Sequence, residues 1–112
     1  MYFFSIFIVS IINYKSIIFL RGDFLMYSKE VVLQNQVGLH ARPATFFIQK
    51  ANEFRSSIWV EKEERKVNAK SLLGVLSLGI ARGTVINIIA DGVDEKQAVD
   101  ALVDLIASNF SD

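Results

Sequence analysis

The strongest constraint on the fold is the regular punctuation of the chain after Met26, where short segments of two periodicities follow one another. Apolar residues at period two predict four strands, and apolar residues at period 3.6 predict three helices. The order is β-α-β-β-α-β-α, with strands near residues 31–35, 57–61, 66–69 and 84–90, and helices over residues 41–53, 71–79 and from 94 onward. The strand at 84–90 is the richest in β-branched residues, which predicts a central position.

This order predicts an α+β fold, in which a four-stranded antiparallel sheet carries the helices on one face. A ferredoxin-like split βαβ arrangement shares the first six elements and is also permitted. Two local signals delimit the end of the domain: Asp91-Gly92 predicts a turn, and Asp94 with Gln97 predicts the N-cap of the last helix. The buried stripe of that helix is predicted to be Ala98, Leu102, Leu105 and Ile106.

The only histidine and the only proline lie three residues apart, in the segment Gly38–Thr45 with the sequence GLHARPAT. Glycine permits a tight bend, and proline suits the first turn of a helix. His40 is thus predicted at a helix N-terminus, where free N–H groups attract anions, and Arg42 adds a planar donor fork for phosphate oxygens. A neutral imidazole is a competent nucleophile near neutral pH. These residues predict a histidine that carries a phosphoryl group; the alternative is a histidine without a chemical role.

The same segment resembles the phosphorylated-histidine motif of HPr, the phosphocarrier of the bacterial phosphoenolpyruvate-dependent sugar phosphotransferase system. A second segment, Lys66–Leu78 (KVNAKSLLGVLSL), resembles the regulatory-serine segment of that family, and the resemblance runs from about Met26 to the C-terminus. It implies an open-faced β-sandwich, which the third helix also favours. It further implies phosphorylation of the Nδ1 atom of His40, stabilisation of the phosphate by Arg42, enzyme I as the donor and EIIA domains of sugar permeases as acceptors.

Ser71 opens the second predicted helix, where a serine is an ordinary N-cap. A phosphate at this position would lie on the positive end of the helix dipole and gain backbone donors. The resemblance to Gram-positive-type HPr implies that Ser71 is phosphorylated by an ATP-dependent HPr kinase/phosphorylase. In such proteins the phosphoserine slows transfer to the histidine and creates a docking surface for a catabolite-control repressor.

The second helix carries more leucine and valine than so short a helix can bury on one side. Exposed apolar patches commonly mark partner sites, although a helix that is simply half core is the alternative. The resemblance implies partner contact by Leu72 and Leu76, and it places Thr45 on the docking face.

Composition excludes several classes of function. The 112 residues suffice for one hydrophobic core, and 12 basic residues balance 12 acidic ones, so no nucleic-acid partner is expected. The chain has no cysteine and one histidine, which argues against disulfides and metal sites. No cofactor, metal or membrane partner is expected. A cytoplasmic location fits the lack of cysteine, and the family resemblance implies a monomer.

Residues 1–25 differ from the rest of the chain in being strongly apolar. A transmembrane helix needs about 20 largely apolar residues, and Asn13 and Lys15 interrupt this run before that length. A signal peptide would carry positive charge before its apolar core and a small-residue cleavage site after it, and neither is present. An insertion signal is therefore an alternative that the sequence supports poorly.

The composition of this stretch instead suggests translated non-coding DNA, because residues encoded by AT-rich codons dominate it. A purine-rich stretch that resembles a ribosome-binding site could encode Arg21-Gly22-Asp23, a short distance before Met26. We expect Met26 to be the natural start, with an HPr-like domain at 26–112 and residues 1–25 outside it. Detection of a peptide from residues 17–20 in the native protein would contradict this.

Two functions of different classes fit these observations. The first is a phosphocarrier that works through His40, and the second is a regulatory, protein-binding module like Crh that acts only through Ser71. Crh-type proteins carry another residue in place of the histidine, so His40 with Arg42 favours the carrier. A nitrogen-related paralogue would keep the histidine but lack the serine context, and a membrane-tethered variant would require residues 1–25.

Overall fold

Five strands and three helices make up the computed structural model, which describes residues 16–21, 24–34, 38–39 and 41–110. In chain order they are β1 (Ser16–Arg21), β2 (Phe24–Val32), α1 (Ala41–Ala51), β3 (Ser57–Lys62), β4 (Arg65–Asn68), α2 (Leu72–Ser77), β5 (Val85–Asp91) and α3 (Glu95–Ala107). Within these ranges no helix is both long and apolar enough to cross a membrane.

The sheet is antiparallel throughout and has the strand order β1-β2-β5-β3-β4. The predicted four-stranded sheet corresponds to β2, β5, β3 and β4, and the predicted order of these strands and the three helices along the chain is confirmed. The predicted central strand, β5, pairs with β2 on one side and β3 on the other.

Strand β1 is an addition to the predicted sheet, and it comes from the segment that the sequence places outside the domain. It pairs with β2 from Ser16 opposite Lys29 to Arg21 opposite Phe24, so two residues connect the strands. Two-residue connections are common in β-hairpins. The strand escapes prediction because an unbroken apolar run lacks the period-two alternation of a half-buried strand.

One hydrophobic core lies between the sheet and the helices. Strands β3 and β5 contribute alternate residues to it, and Trp59, between Ile58 and Val60, faces away from the helices. The buried side chains of the core include Phe47, Ile58, Val60, Val75, Ile86, Ile88, Val99, Leu102 and Ile106. Burial of one such side chain contributes about 1.5–3 kcal/mol. Leu105, predicted in the buried stripe of α3, is only partly buried.

A polar contact fastens β2 to α3 at the edge of this core. The Lys29 ammonium lies 2.8 Å from the Asp100 carboxylate, and the Tyr27 hydroxyl donates to the same carboxylate at 3.4 Å. Burial alone would lower the pKa of Lys29, but the hydrogen bond to Asp100 and the interactions with Tyr27 and the Asp100 charge together outweigh burial and raise it above its usual value. The contact therefore joins the first long strand of the fold to its last helix.

Several predicted boundaries differ from the observed ones. Strand β2 begins earlier than predicted and ends at Val32, and α1 ends at Ala51 rather than near Glu53. The charged turn between the strands predicted at 57–61 and 66–69 is tighter than expected, because the strands continue until Lys62 pairs with Arg65. The prediction made the turn too long because it took the charged side chains as turn residues. Charged residues also pair in a hairpin once the backbone hydrogen bonds form.

Asp94 occupies the predicted N-cap position of α3, but the predicted side-chain cap is wrong. Its carboxylate instead accepts hydrogen bonds from the Arg55 and Ser56 N–H groups, both at 2.9 Å, and from the Ser56 hydroxyl at 2.5 Å. The bond from the Ser56 hydroxyl is the main cause that lowers the pKa of Asp94, followed by the Arg55 N–H group. A local capping motif cannot reveal this, since the donors precede β3 in a distant part of the chain.

The role of Asp94 predicts how stability depends on pH. Because its pKa is lower in the folded state than the model-peptide value of 3.8, its contribution is present above that value and is lost as the pH falls through the folded pKa. Asp94→Asn is expected to cost roughly 1–2 kcal/mol of unfolding free energy near neutral pH. Urea unfolding should show this difference shrinking in strong acid.

The control for this prediction is Asp104→Asn, since Asp104 is an exposed acid on α3 with no side-chain hydrogen bond or ion pair among the described residues. It should leave the unfolding free energy within about 0.5 kcal/mol of wild type near neutral pH. An Asp94→Asn deficit that stays constant with pH would contradict the assignment.

Candidate functional site

The segment that leads into α1 is held by the loop before β5. Gly38 has φ +67°, and a Cβ atom built there would lie 2.4 Å from the carbonyl oxygen of Ile80 and 2.8 Å from Cα of Ala81. The N–H group of the buried Leu39 donates to the same Ile80 oxygen at 2.9 Å. The predicted glycine bend is confirmed, and no side chain fits in its place.

His40 lies outside the described residues. In the sequence it stands between Leu39, whose backbone is anchored, and Ala41, the first residue of α1. The helix that follows it has 11 residues and no acidic side chain in its first turn. The positive end of this helix dipole is therefore not neutralised by carboxylates of its own first turn.

The first turns of α1 divide into a buried side and an exposed side. Pro43 and Ala44 are buried, whereas Arg42 and Thr45 are exposed. Among the described residues, the Arg42 guanidinium has no hydrogen-bonding or ion-pair partner, so its donors remain available to a ligand. The Thr45 hydroxyl donates within the helix to the carbonyl oxygen of Ala41 at 2.8 Å.

Ser71 is the N-cap of α2, as predicted. Its hydroxyl oxygen accepts a hydrogen bond from the Gly74 N–H group at 3.0 Å, and its carbonyl oxygen accepts one from the Val75 N–H group. A Cβ atom at Gly74 would lie 3.2 Å from the Ser71 hydroxyl oxygen. Glycine at position 74 therefore leaves room beside a half-buried hydroxyl.

Apolar side chains remain exposed on both helices near these residues, which confirms that α2 cannot bury all of its own. The exposed fraction is 39% for Phe46 on α1, 41% for Leu72 and 81% for Leu73. Leu76, expected to contact partners, instead packs partly against the core. Leu73, not among the expected contacts, is the most exposed of the leucines on α2.

Sequence reasoning assigned no role to the turn at Ala81–Thr84, which supports the segment before α1. The Thr84 N–H group donates to the Ala81 carbonyl oxygen at 3.1 Å, and Gly83 has φ +87°. This turn also binds the end of β2, since the Gly83 N–H group donates to the Leu33 carbonyl oxygen at 2.7 Å. Glycines at 79 and 83, both with positive φ, were the available signal of a bent loop.

Among the described residues, no group of three or more histidine, cysteine, aspartate or glutamate side chains is placed to hold a metal ion. The chemistry that the described arrangement offers is anion binding, through an unpaired arginine and the first turn of α1.

Comparisons with known proteins agree with one another. Residues 27–108 match the family described as PTS HPr component phosphorylation site. The HPr-like protein Crh of Halalkalibacterium halodurans is 47% identical over 81 residues, which are 72% of this chain and 96% of that protein. The phosphocarrier protein HPr of Neisseria meningitidis is 42% identical over 87 residues, 78% of this chain and 98% of that protein.

A solved structure shows the same fold. The crystal structure of HPr-C-His from Thermoanaerobacter tengcongensis superimposes with a TM-score of 0.74 at 50% sequence identity. The match covers 76% of this chain and 96% of that one.

Proposed function

The chain belongs to the HPr family, and on that premise we propose that it relays a phosphoryl group from phospho-enzyme I to EIIA domains of sugar permeases. His40 is the observation that carries the proposal. It directly precedes α1 in the sequence and follows the anchored pair Gly38–Leu39. The chain is a carrier in this scheme rather than an independent catalyst, because its phosphorylated form is consumed by the next protein.

In the proposed reaction, a neutral imidazole nitrogen of His40 attacks the phosphorus atom of the phosphorylated donor. An N–P bond forms while the bond from phosphorus to the donor breaks, and enzyme I leaves with the electron pair of that bond. The resulting phosphoramidate is labile enough to pass the group on, whereas a serine ester would hold it. Attack by a nucleophile of the EIIA domain then breaks the N–P bond and restores the imidazole.

Arg42 is proposed to bind the phosphate oxygens in both steps. Its guanidinium is exposed and has no partner among the described residues. A planar fork of donors suits phosphate oxygens, and the N-terminal N–H groups of α1 add further donors. Thr45 is proposed to line the docking face. Its hydroxyl is already bonded to the carbonyl oxygen of Ala41, so the rest of its exposed side chain would make the contact.

Ser71 is proposed as a regulatory site for HPr kinase/phosphorylase, with a catabolite-control repressor as the partner of the phosphorylated form. A phosphate in place of the hydroxyl would meet the N–H donors of the first turn of α2, of which Gly74 already bonds to this oxygen. We propose that Leu72 and Leu76 contact the protein partners of this chain, enzyme I included; the exposure of Leu72 supports this more strongly than the partial burial of Leu76.

A Crh-like regulator that acts only through Ser71 is the second candidate, and the identity to a Crh protein favours it. His40 favours the relay, because the regulator has no use for a nucleophilic imidazole. The domain is proposed to span residues 26–112 and to act as a monomer in the cytoplasm.

The relay is tested by incubating the full chain with phosphoenolpyruvate and enzyme I, followed by intact mass and acid treatment. We expect an adduct that acid removes and that disappears when an EIIA domain is added. A separate incubation with ATP and HPr kinase/phosphorylase should give an acid-stable adduct that Ser71→Ala abolishes. If only the acid-stable adduct formed while enzyme I was shown to be active, the relay would be rejected in favour of the regulator.

A further inference from the structure

The C-terminal end of α2 is bonded by two cations from another part of the chain. The Lys62 ammonium donates to the carbonyl oxygens of Leu78 at 2.9 Å and Gly79 at 3.1 Å. The Arg65 guanidinium donates to the carbonyl oxygen of Ser77 at 3.0 Å and to its hydroxyl oxygen at 3.2 Å. The Ser77 carbonyl belongs to the last turn of α2, and those of Leu78 and Gly79 lie at its C-cap and just beyond, where no intrahelical donor is available.

Helix α2 is unusually dependent on such contacts. It has six residues, and helices this short are marginal without outside support. Its own last turn contains no basic residue, so the negative end of its dipole is met only by the two cations of the hairpin among the groups described. Lys62 and Arg65 therefore supply the positive charge and the hydrogen-bond donors that the last turn of this helix lacks.

The two cations repel each other where they lie. Lys62 and Arg65 are directly opposite one another at the end of the β3–β4 hairpin, and like charges in such a pair are destabilising. Three carbonyl oxygens and a hydroxyl oxygen of 77–79 offset that repulsion. A polar network continues from Arg65 into the helix, because the Ser77 hydroxyl donates to the carbonyl oxygen of Gly74 at 2.6 Å.

We propose that Lys62 and Arg65, the α2 clamp, are positioning residues that hold α2 helical in the free chain and thereby preorganise its docking face. The inference rests on the proposed function, in which partners recognise Leu72 and the surface around Ser71. Lys62 and Arg65 are bonded to the end of α2, so the clamp is taken to act through the helix. It acts by removing the cost of ordering α2 at the moment of binding.

The first test measures the clamp itself by backbone hydrogen exchange on the full chain. Lys62→Met keeps the aliphatic stem and removes the ammonium. It is expected to lower the protection of the Val75 and Leu78 amides roughly tenfold, and Lys62→Arg should restore it. The matched control is Lys66→Met on the same hairpin, since the Lys66 ammonium lies over the Trp59 ring at 5.2 Å instead.

The second test measures docking through the kinetics of phosphorylation by enzyme I. Lys62→Met should raise the KM for the chain several-fold and leave kcat within about twofold, because the chemistry at His40 is unchanged. Unchanged exchange in Lys62→Met would overturn the clamp. Lowered protection with an unchanged KM would reduce it to a stabilising contact and overturn its docking role.

The two proposals can fail separately. A wild-type chain that active enzyme I leaves unphosphorylated would remove the proposed relay and the docking role with it. The exchange experiment uses no partner and would still decide whether the clamp holds α2.

Discussion

His40→Ala is expected to lower the rate of phosphorylation by phosphoenolpyruvate and enzyme I by a factor of at least about 10³, because it removes the nucleophile itself. The chain has one histidine and no cysteine, so no comparable side chain can substitute. The readout is the acid-labile adduct measured by intact mass over time. An acid-labile adduct on the variant at the wild-type rate would contradict the assignment of His40.

A graded control accompanies this variant. Arg42→Gln keeps the imidazole and removes the charge that is proposed to bind the phosphate oxygens. We expect slower phosphorylation, by roughly 10- to 100-fold, and an adduct that still forms to completion. Thermal unfolding of Arg42→Gln should match wild type closely, because the Arg42 side chain is exposed and makes no hydrogen bond or ion pair among the described residues.

Gly38→Ala is expected to destabilise the fold by about 2–5 kcal/mol, the largest effect on stability that we predict. Two terms add: a side chain disfavours φ +67°, and the new methyl group would overlap the carbonyl oxygen of Ile80. The measurement is urea unfolding, supported by a fall in the melting temperature of roughly 10 °C or more. Phosphorylation by enzyme I, measured below the transition, should slow because the segment before His40 must move.

Gly79→Ala separates these two terms. Gly79 has φ +60°, and nothing lies within 4 Å of a Cβ atom built there. It should therefore show only the backbone cost, about 1–2 kcal/mol. Equal losses for the two variants would show that the close approach to Ile80 and Ala81 has no energetic weight.

The features that sequence reasoning identified correctly are those set by a few neighbouring residues. Gly38 predicts a bend, and Ser71 before an apolar run predicts an N-cap. The β-branched residues of β5 predict its central position in the sheet. Each signal acts over a few residues along the chain, so the folded partners do not need to be known. The resemblance of the two motifs added the family, which the comparisons confirm.

The features that it missed depend on partners far along the chain. Asp94 has the right residue type for a cap, yet the N–H groups before β3 compete for its carboxylate and win. From the sequence, Lys62 and Arg65 are predicted only as turn residues. Their bonds to the end of α2 depend on the packing of that helix against the hairpin. The distribution of exposure among the leucines of α2 is likewise set by how the helix rests on the core, which helical periodicity cannot resolve over six residues.

The pairing of β2 with β5 has a consequence for how the chain is made. Tyr27 is opposite Ala90, and Lys29 reaches Asp100 in the last helix. While the chain is being synthesised, β2 emerges long before its neighbour exists, whereas the β3–β4 hairpin is complete within a dozen residues. Contacts so distant in sequence slow folding, and the sheet cannot close until β5 has left the ribosome. Until then, β2 is an unpaired edge on the β5 side and must be kept from other nascent chains.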